Sequence, residues 1–228
     1  MLIRLKYSKT AAGRFISHLD MLRTFERIFR RAALPLAFSE GFNPHPKISF
    51  GSALAVGITS DAEYLDVELQ KEIEPDKTLE DIARCSPGGI NILELKVLSE
   101  RQRSLNAQIN MASYELRIPL TKEPEEENVR KLFKDLLDKK NIFVSREGKR
   151  GIKQVDIRQG IYALSGAIEK NELVVYMEVQ TGSEGNVRPE EILLLLVKNG
   201  EFLEEKGFQI NRIGLFIRDA KGARTPLE

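Results

Sequence analysis

Residues 2–33, LIRLKYSKTAAGRFISHLDMLRTFERIFRRAA, predict the first strand and helix of the fold. Residues 2–7 alternate apolar and polar side chains with a period of two, which indicates a strand. Ser17 and Asp20 have the spacing of a capping box, so a helix is expected to begin just after the serine and to reach Ala33. An apolar stripe follows at steps of three and four residues: Leu19, Leu22, Phe25, Phe29 and Ala32.

The rest of the first 100 residues completes a β-α-β-β-α-β order, which is the ferredoxin-like pattern. Strands are predicted at residues 48–53, 63–69 and 92–98, and a second helix at residues 75–84. Between the first helix and the second strand lies a loop with two prolines, residues 39–50 (SEGFNPHPKISF), which we call the Pro-His loop. A loop placed by a rigid scaffold often carries binding or catalysis.

The second half of the chain predicts the same order with an inserted hairpin. The expected strands are 113–120, 161–168, 173–180 and 208–217, the helices are 123–140 and 188–198, and the hairpin strands are 142–145 and 153–158. We therefore predict an α+β protein of two tandem ferredoxin-like domains. Residues 1–100 form the first domain, residues 101–110 a linker, and residues 111–228 a second domain with the basic hairpin.

Composition excludes several classes of site. With one cysteine, Cys85, and two histidines, the chain can form no internal disulfide, no Cys/His zinc site and no iron–sulfur cluster of its own. It also lacks the GxxxxGK[ST] and GxGxxG nucleotide loops. We expect no metal and no bound cofactor. No apolar run approaches the roughly 18 residues of a membrane span, and the N-terminus lacks a signal-peptide core, so a cytoplasmic protein is predicted.

Charge is distributed unevenly along the chain. Residues 1–50 hold nine Lys and Arg against three Asp and Glu, whereas residues 51–100 hold four against eleven. Residues 101–158 are basic again, with fourteen against nine. Two basic sections can present a cationic face to a polyanion, or they can neutralise the acidic sections within the fold. Both interpretations stay open at the level of the sequence.

Three groups of residues are candidates for binding nucleic acid. They are the helical arginines Arg23, Arg27, Arg30 and Arg31, the loop residues Asn43, His45 and Lys47, and the hairpin residues Lys149, Arg150, Lys153 and Arg158, which accompany Arg146. Arginine binds phosphate bidentately, and a basic hairpin can follow a nucleic-acid backbone. The alternative for each group is an ordinary solvated face.

The two histidines are reserve candidates for catalysis. Pro44 and Pro46 restrict the backbone around His45, which could then serve as a general base or contact a phosphate. Together with His18, it could cleave RNA without a metal, one histidine acting as base and the other as acid. Nothing in the sequence shows that the two imidazoles meet.

Several of these segments resemble the radical-SAM-linked protein family, whose members are fused to or encoded beside B12-binding radical SAM proteins. The resemblance lies in SHLD at residues 17–20, in residues 29–51, in EYLDVEL at residues 63–69 and in VDIRQGI at residues 155–161. It implies a B12-binding radical SAM protein as a partner in trans, because this chain lacks the CxxxCxxC motif of such enzymes. Family members are also encoded near ribonucleases and ribosomal proteins, which implies work on RNA.

We therefore expect a non-catalytic accessory protein that binds RNA, such as rRNA or tRNA, or presents it to a radical SAM or RNA-processing enzyme. Two alternatives remain. The first is a metal-independent endoribonuclease, because the predicted architecture resembles that of the CRISPR repeat-processing enzymes. The second is a protein–protein adaptor for the radical SAM partner.

Overall fold

The computed structural model of the protein describes residues 1–99, 103–148 and 151–228. Its elements, in chain order, are β1 (Leu2–Lys9), α1 (His18–Arg31), β2 (Ile48–Phe50), β3 (Thr59–Glu68), α2 (Pro75–Cys85), β4 (Ile90–Leu98), α3 (Leu105–Gln108), β5 (Met111–Pro119), α4 (Glu126–Leu137), β6 (Phe143–Gly148), β7 (Gly151–Asp156), β8 (Ile161–Glu169), β9 (Glu172–Gln180), α5 (Pro189–Asn199), β10 (Gln209–Asp219) and β11 (Gly222–Arg224). The predicted α+β class is confirmed.

The chain forms two compact units: residues 1–109 with 212–228, and residues 110–211. The sequence predicts residues 111–228 as one domain, whereas in the structure residues 212–228 belong to the first unit. The guanidinium of Arg4 donates to the carbonyl of Pro226 at 2.7 Å, and the ammonium of Lys96 donates to that of Leu227. These contacts hold the C-terminal residues on the first unit.

In the first unit, β1 lies between β3 and β4 and is antiparallel to both. The far edge of β3 is shared by β10 and by β2, which lies antiparallel opposite residues 65–67. The apolar core unites this sheet with α1 and α2, and its completely buried side chains include Ile3, Leu5, Phe25, Ile28, Phe29, Leu65, Val67 and Ile82. Burial of each such side chain stabilises the fold by about 1.5–3 kcal/mol.

Helix α1 begins at the predicted cap. The Ser17 hydroxyl accepts the amide hydrogen of Asp20 at 3.2 Å and donates to its carboxylate at 2.7 Å. The buried stripe is rotated from the prediction, because Met21 and Ile28 join Phe25 and Phe29 while Leu19 is 66% exposed. The helix ends at Arg31, and Ala33 turns the chain with a φ of 54°.

Strand β2 is shorter than the predicted strand 48–53. It ends at Phe50, and the carbonyls of Ser52 and Ala53 accept hydrogen bonds from Arg212 at 3.0 and 2.9 Å. Those carbonyls are therefore used by a side chain that is distant in sequence rather than by a strand ladder. The sequence of residues 48–53 alone cannot show that the strand ends at Phe50, because the side chain that binds the next carbonyls, Arg212, is distant in sequence.

The second unit has the antiparallel strand order β5-β9-β8. Phe133 of α4 packs on Gly166 of β8, where a Cβ atom would lie 2.6 Å from the ring. The inserted hairpin, β6 with β7, forms its own two-stranded sheet with Arg146 opposite Lys153. In the described part of the chain, no helix combines the length and the apolar character that a bilayer crossing requires.

Candidate nucleic-acid interface

The four predicted arginines of α1, Arg23, Arg27, Arg30 and Arg31, are all exposed, and we call them the Arg face. At 100° per residue they lie within an arc of about 100°, opposite the buried stripe. Arg23 contacts Asp20 at 3.4 Å in a pair that is mostly exposed to solvent. In the ranges that the structure describes, Arg27, Arg30 and Arg31 have no carboxylate partner. Three guanidinium groups of the face are therefore exposed and form no ion pair within the described residues.

The Pro-His loop contains a short hairpin pinned by Ser39. The amide of Ser39 donates to the carbonyl of His45 at 2.8 Å, and the amide of His45 donates to the Ser39 hydroxyl at 3.0 Å. Phe42 is completely exposed at the tip, beside exposed Asn43. Lys47 pairs with Glu68 at 3.2 Å, and both side chains are half exposed. The tip therefore offers an aromatic ring, an amide and an imidazole to solvent.

The loop starts at the end of the Arg face. Gln70 donates its amide hydrogen to the carbonyl of Pro35, and Ala37 donates to that of Glu68. The last turn of α1, with Arg30 and Arg31, thus leads directly to the end of β3, where the loop begins. The structure brings the C-terminal part of the Arg face and the base of the loop to one end of the first unit.

The two histidines do not form a pair. The exposed His18 begins α1, and its ring lies against Phe50 with centroids 5.4 Å apart. His45 is held through its backbone by Ser39. Among the described residues, no hydrogen bond or ring contact joins His18 to His45. The geometry gives no support to an acid–base pair for RNA cleavage.

The predicted basic hairpin residues have different surroundings. Arg158 is half buried and donates to the carbonyl of Leu137, at the end of α4, at 2.8 Å. Arg146 forms a close pair with Glu191 at 2.6 Å. Lys153 is exposed and has no carboxylate partner in the part of the chain that the structure covers. Lys149 and Arg150 lie outside the described residues.

A buried ion cluster, which the sequence analysis missed, lies in the first unit: Lys9, Ser60, Glu63 and Arg212. Glu63 accepts hydrogen bonds from the Ser60 hydroxyl at 2.7 Å and from Arg212 at 3.2 Å. Burial raises the pKa of Glu63, while Arg212 acts in the opposite direction. Burial also lowers the pKa of Lys9. The signal was present in β1, where Lys9 continues the buried positions of Leu5 and Tyr7.

A narrow pocket adjoins this cluster at the start of α1. Its walls include Tyr7, Lys9, His18, Ser52 and Glu63, and its cavity volume is about 20 Å³. That is room for one or two water molecules and too little for a nucleotide. Among the described residues, no group of three His, Cys, Asp or Glu side chains is arranged to hold a metal ion.

Comparison with known proteins gives one family and several structural likenesses. The family described as "Uncharacterized protein conserved in bacteria (DUF2344)" matches residues 2–189. No curated protein matches the sequence. A chain in the crystal structure of a Cbf5-Nop10-Gar1 complex is 11% identical with a TM-score of 0.51; the match covers 92% of this protein and 47% of that chain. The likeness concerns the fold, and this protein spans about half the length of the chain it matches in that complex.

Two further structures give lower scores. A chain of the archaeal box H/ACA sRNP Nop10-Cbf5 complex is 10% identical with a TM-score of 0.42, over 83% of this protein and 42% of that chain. An unknown protein from Galdieria sulphuraria is 10% identical with a TM-score of 0.27, over 93% of this protein and 96% of that chain.

Proposed function

The chain belongs to the family described as an uncharacterized protein conserved in bacteria (DUF2344), and we propose that it binds RNA through the Arg face and the Pro-His loop. In this proposal it is an accessory protein that presents RNA to a separate enzyme. One observation carries the proposal. Arg27, Arg30 and Arg31 share one exposed helix face and have no carboxylate partner in the described ranges.

The Arg face suits a phosphate backbone in both chemistry and length. From Arg23 to Arg31 the helix rises about 12 Å, a distance over which a nucleic-acid duplex carries several phosphates. Guanidinium groups bind phosphate bidentately, and they stay charged at any physiological pH. Because α1 is anchored by buried Phe25 and Phe29, the arginines project from a rigid support.

The Pro-His loop supplies groups that can contact the bases. The ring of Phe42 has no protein covering it and is available for stacking, which contributes about 1–3 kcal/mol per base. Asn43 and His45 carry donors and acceptors for a base edge, a sugar or a phosphate. Lys47 is partly neutralised by Glu68 and adds less charge. In the second unit, Lys153 is the described hairpin residue suited to a further phosphate contact.

The enzyme served by this module is proposed to be a B12-binding radical SAM protein in trans. Support comes from the sequence resemblance at residues 17–20, 29–51, 63–69 and 155–161. A radical SAM cluster needs three cysteines, and this chain has only Cys85, so the cluster belongs to the partner. rRNA and tRNA are the RNA classes to test first.

Two tandem ferredoxin-like domains remain our proposal for the topology. In the first unit the order β4-β1-β3-β2, antiparallel throughout, supports it, since β2 follows α1 and β4 follows α2. In the second unit the antiparallel order β5-β9-β8 supports it, with α4 after β5.

Electrophoretic mobility shifts with an rRNA fragment and a tRNA test the RNA proposal. The Arg27→Ala/Arg31→Ala double variant is expected to bind both RNAs clearly more weakly than wild type. The matched control is Lys134→Ala/Lys140→Ala, which removes two exposed positive charges from the second unit and is expected to bind like wild type. Equal binding by all three proteins, or none by wild type, would refute the proposal.

The same incubations separate RNA binding from the two alternatives. In EDTA the RNA is expected to stay intact, whereas cleavage that disappears in His45→Ala would establish the endoribonuclease. Co-purification with a radical SAM partner separates binding from adaptor function. A partner that is lost only when Phe42→Ala is introduced, with no RNA bound by wild type, would favour the adaptor.

A further inference from the structure

An exposed apolar patch extends the Arg face at the start of α1. Leu19 is 66% exposed although it lies in the first turn of the helix. At 100° per residue, it lies about 20° from Arg30 and about 40° from Arg23 around the helix axis. Asp20 is the carboxylate within this arc, and it is paired with Arg23. Leu19 therefore continues the row of arginines toward the N-terminus, about 18 Å along the axis from Arg31.

The ring of Phe15 is the second member of this patch and is 68% exposed. It lies two residues before the N-cap Ser17, so its Cα atom is within about 7 Å of the start of the helix. The guanidinium carbon of Arg14 lies 4.7 Å from the ring centroid, which is within the range of a cation–π contact. The amide of Gly57 donates to the carbonyl of Arg14 at 2.8 Å, which brings the exposed Val56 to the same segment.

Exposed aromatic rings therefore lie at both ends of the Arg face. Phe15 precedes the first turn of α1, and the completely exposed Phe42 lies in the Pro-His loop, which follows the last turn. Arg14 and the three arginines of the face without a carboxylate partner in the described ranges outnumber Glu26, the half-buried acid at the edge of the row. Cations combined with exposed aromatic rings are the means by which proteins hold unpaired nucleic acid.

The rings distinguish unpaired RNA from a duplex, which the arginines alone do not. Both forms present rows of phosphates to a cationic face. In an A-form duplex the bases are paired and stacked on one another, so their faces are closed to a protein ring. An unpaired strand can place its bases on aromatic side chains while its phosphates stay on the arginines. RNA also supplies an anion for Arg14 and Arg23, which lie next to the apolar side chains of the patch.

We propose that the Arg face binds single-stranded RNA, with one base stacked on Phe15 and another on Phe42. The phosphates between these bases contact the arginines of the face, and Leu19 and Val56 add apolar contacts at the Phe15 end. This inference rests on the RNA-binding proposal and adds the substrate class, an unpaired segment of an RNA rather than its helical stems. It also makes Phe15 a binding residue. Contacts between arginines and phosphates do not require Phe15, so the two proposals can fail separately.

Fluorescence anisotropy of the full-length protein tests the substrate class with two forms of one RNA. The first is a labelled oligomer of about 12 nucleotides without self-complementarity, and the second is the same oligomer annealed to its complement. The single strand is expected to bind wild type at least about tenfold more tightly than the duplex, because its bases can stack on the two rings. A purely electrostatic face would favour the duplex, which carries the denser charge.

Variants of Phe15 test the stacking contact itself. Phe15→Ala is expected to bind the single strand about tenfold more weakly, because one stacked base is lost, and to keep the wild-type affinity for the duplex. Phe15→Tyr keeps the aromatic face and is expected to bind like wild type, whereas Phe15→Leu keeps apolar bulk alone and is expected to bind like Phe15→Ala. Phe143→Ala is the matched control, since it removes a similarly exposed ring from the second unit, and it is expected to bind like wild type.

Failure of this inference can be told apart from failure of the RNA-binding proposal. Equal or tighter binding of the duplex by wild type would overturn the inference, as would wild-type affinity of Phe15→Ala for the single strand. In either case Arg27→Ala/Arg31→Ala is still expected to weaken binding of both forms if the RNA-binding proposal is correct. Absence of binding of either form to wild type would overturn both proposals. A protein partner lost in Phe15→Ala, with unchanged affinity for the single strand, would assign the patch to a protein contact instead.

Discussion

Two arginine–carboxylate pairs are buried in the first unit. Arg4 binds Asp66 through two hydrogen bonds of 2.7 and 2.9 Å and also holds the carbonyl of Pro226. Arg212 binds Glu63 and the carbonyls after β2. Removing one partner of a buried pair costs more than the pair itself contributes, because the remaining charge loses its compensation. Each arginine therefore holds together segments of the first unit that are distant in sequence.

The first prediction concerns Arg212. Arg212→Met is expected to lower the free energy of unfolding by about 3–5 kcal/mol, since Glu63 is left buried with Ser60 as its remaining hydrogen-bond donor. Urea unfolding measures this. The control Arg130→Met breaks an exposed pair with Glu126 and is expected to change stability by less than about 1 kcal/mol. Similar losses in both variants would contradict a structural role for the buried pair.

The second prediction concerns alkaline pH and Tyr64. Burial raises the pKa of Tyr64 from 10.0 to about 12. The unfolded chain then ionises first, so this contribution to stability is complete below pH 10 and is lost as pH rises toward 12. Urea unfolding across that window is expected to show a steeper loss in wild type than in Tyr64→Phe. If the free energy of unfolding fell equally with pH in wild type and Tyr64→Phe, the pKa of Tyr64 would not be raised.

At the scale of elements, the turn before β4 rests on the close approach of two glycines. Gly89 has a φ of 97°, and a Cβ atom on it would lie 2.6 Å from the backbone nitrogen of Gly13. Gly89 also accepts the amide hydrogen of Thr10 at 3.0 Å. This contact joins the turn after β1 to the turn before β4.

The third prediction follows from that contact. Gly89→Ala is expected to destabilise the protein by at least about 1 kcal/mol, from backbone strain and from the clash with Gly13. Gly88→Ala is the control, because no atom lies within 4 Å of its added Cβ. Thermal unfolding of the two variants gives the comparison, and equal melting temperatures would refute the close approach.

The fourth prediction separates structure from binding in the second unit. Arg158→Met is expected to lower the free energy of unfolding by about 1.5–3 kcal/mol, because the carbonyl of Leu137 loses charged hydrogen bonds. Its RNA affinity is expected to stay that of wild type. Lys153→Met is the control for stability, being exposed, and is expected to weaken RNA binding instead. Urea unfolding and mobility shifts give both quantities, and weakened RNA binding by folded Arg158→Met would contradict this assignment.

The elements were predictable from local patterns, and the roles of individual cations were not. Alternation and the capping box located β1 and α1 because both signals lie within a few residues. Whether an arginine is available to a ligand or is bonded within the fold depends on partners that are distant in sequence. Arg158, which donates to Leu137, and Arg146, which pairs with Glu191, show this. The short elements α3 and β11 were missed because four and three residues carry too little periodicity.

At the scale of the whole molecule, a net charge of +1 conceals a basic face. Part of the charge is used internally, since Arg4, Arg212 and Arg146 pair with carboxylates that are distant in sequence. Arg27, Arg30 and Arg31 stay outside such pairs in the described part of the chain. Composition alone left a polyanion-binding face and internal neutralisation equally open; the structure shows internal ion pairs and also an exposed group of arginines on α1. The assignment of residues 212–228 to the first unit was likewise beyond any local pattern.

The salt dependence of RNA binding tests the central claim, that the Arg face contacts phosphates, most directly. Each arginine that neutralises a phosphate steepens the fall of log affinity with log salt concentration by about 1. Fluorescence anisotropy over a salt series is expected to give Arg27→Ala/Arg31→Ala a slope shallower than wild type by about 2, while Lys134→Ala/Lys140→Ala keeps the wild-type slope. A double variant whose slope and affinity equal those of wild type would contradict the account.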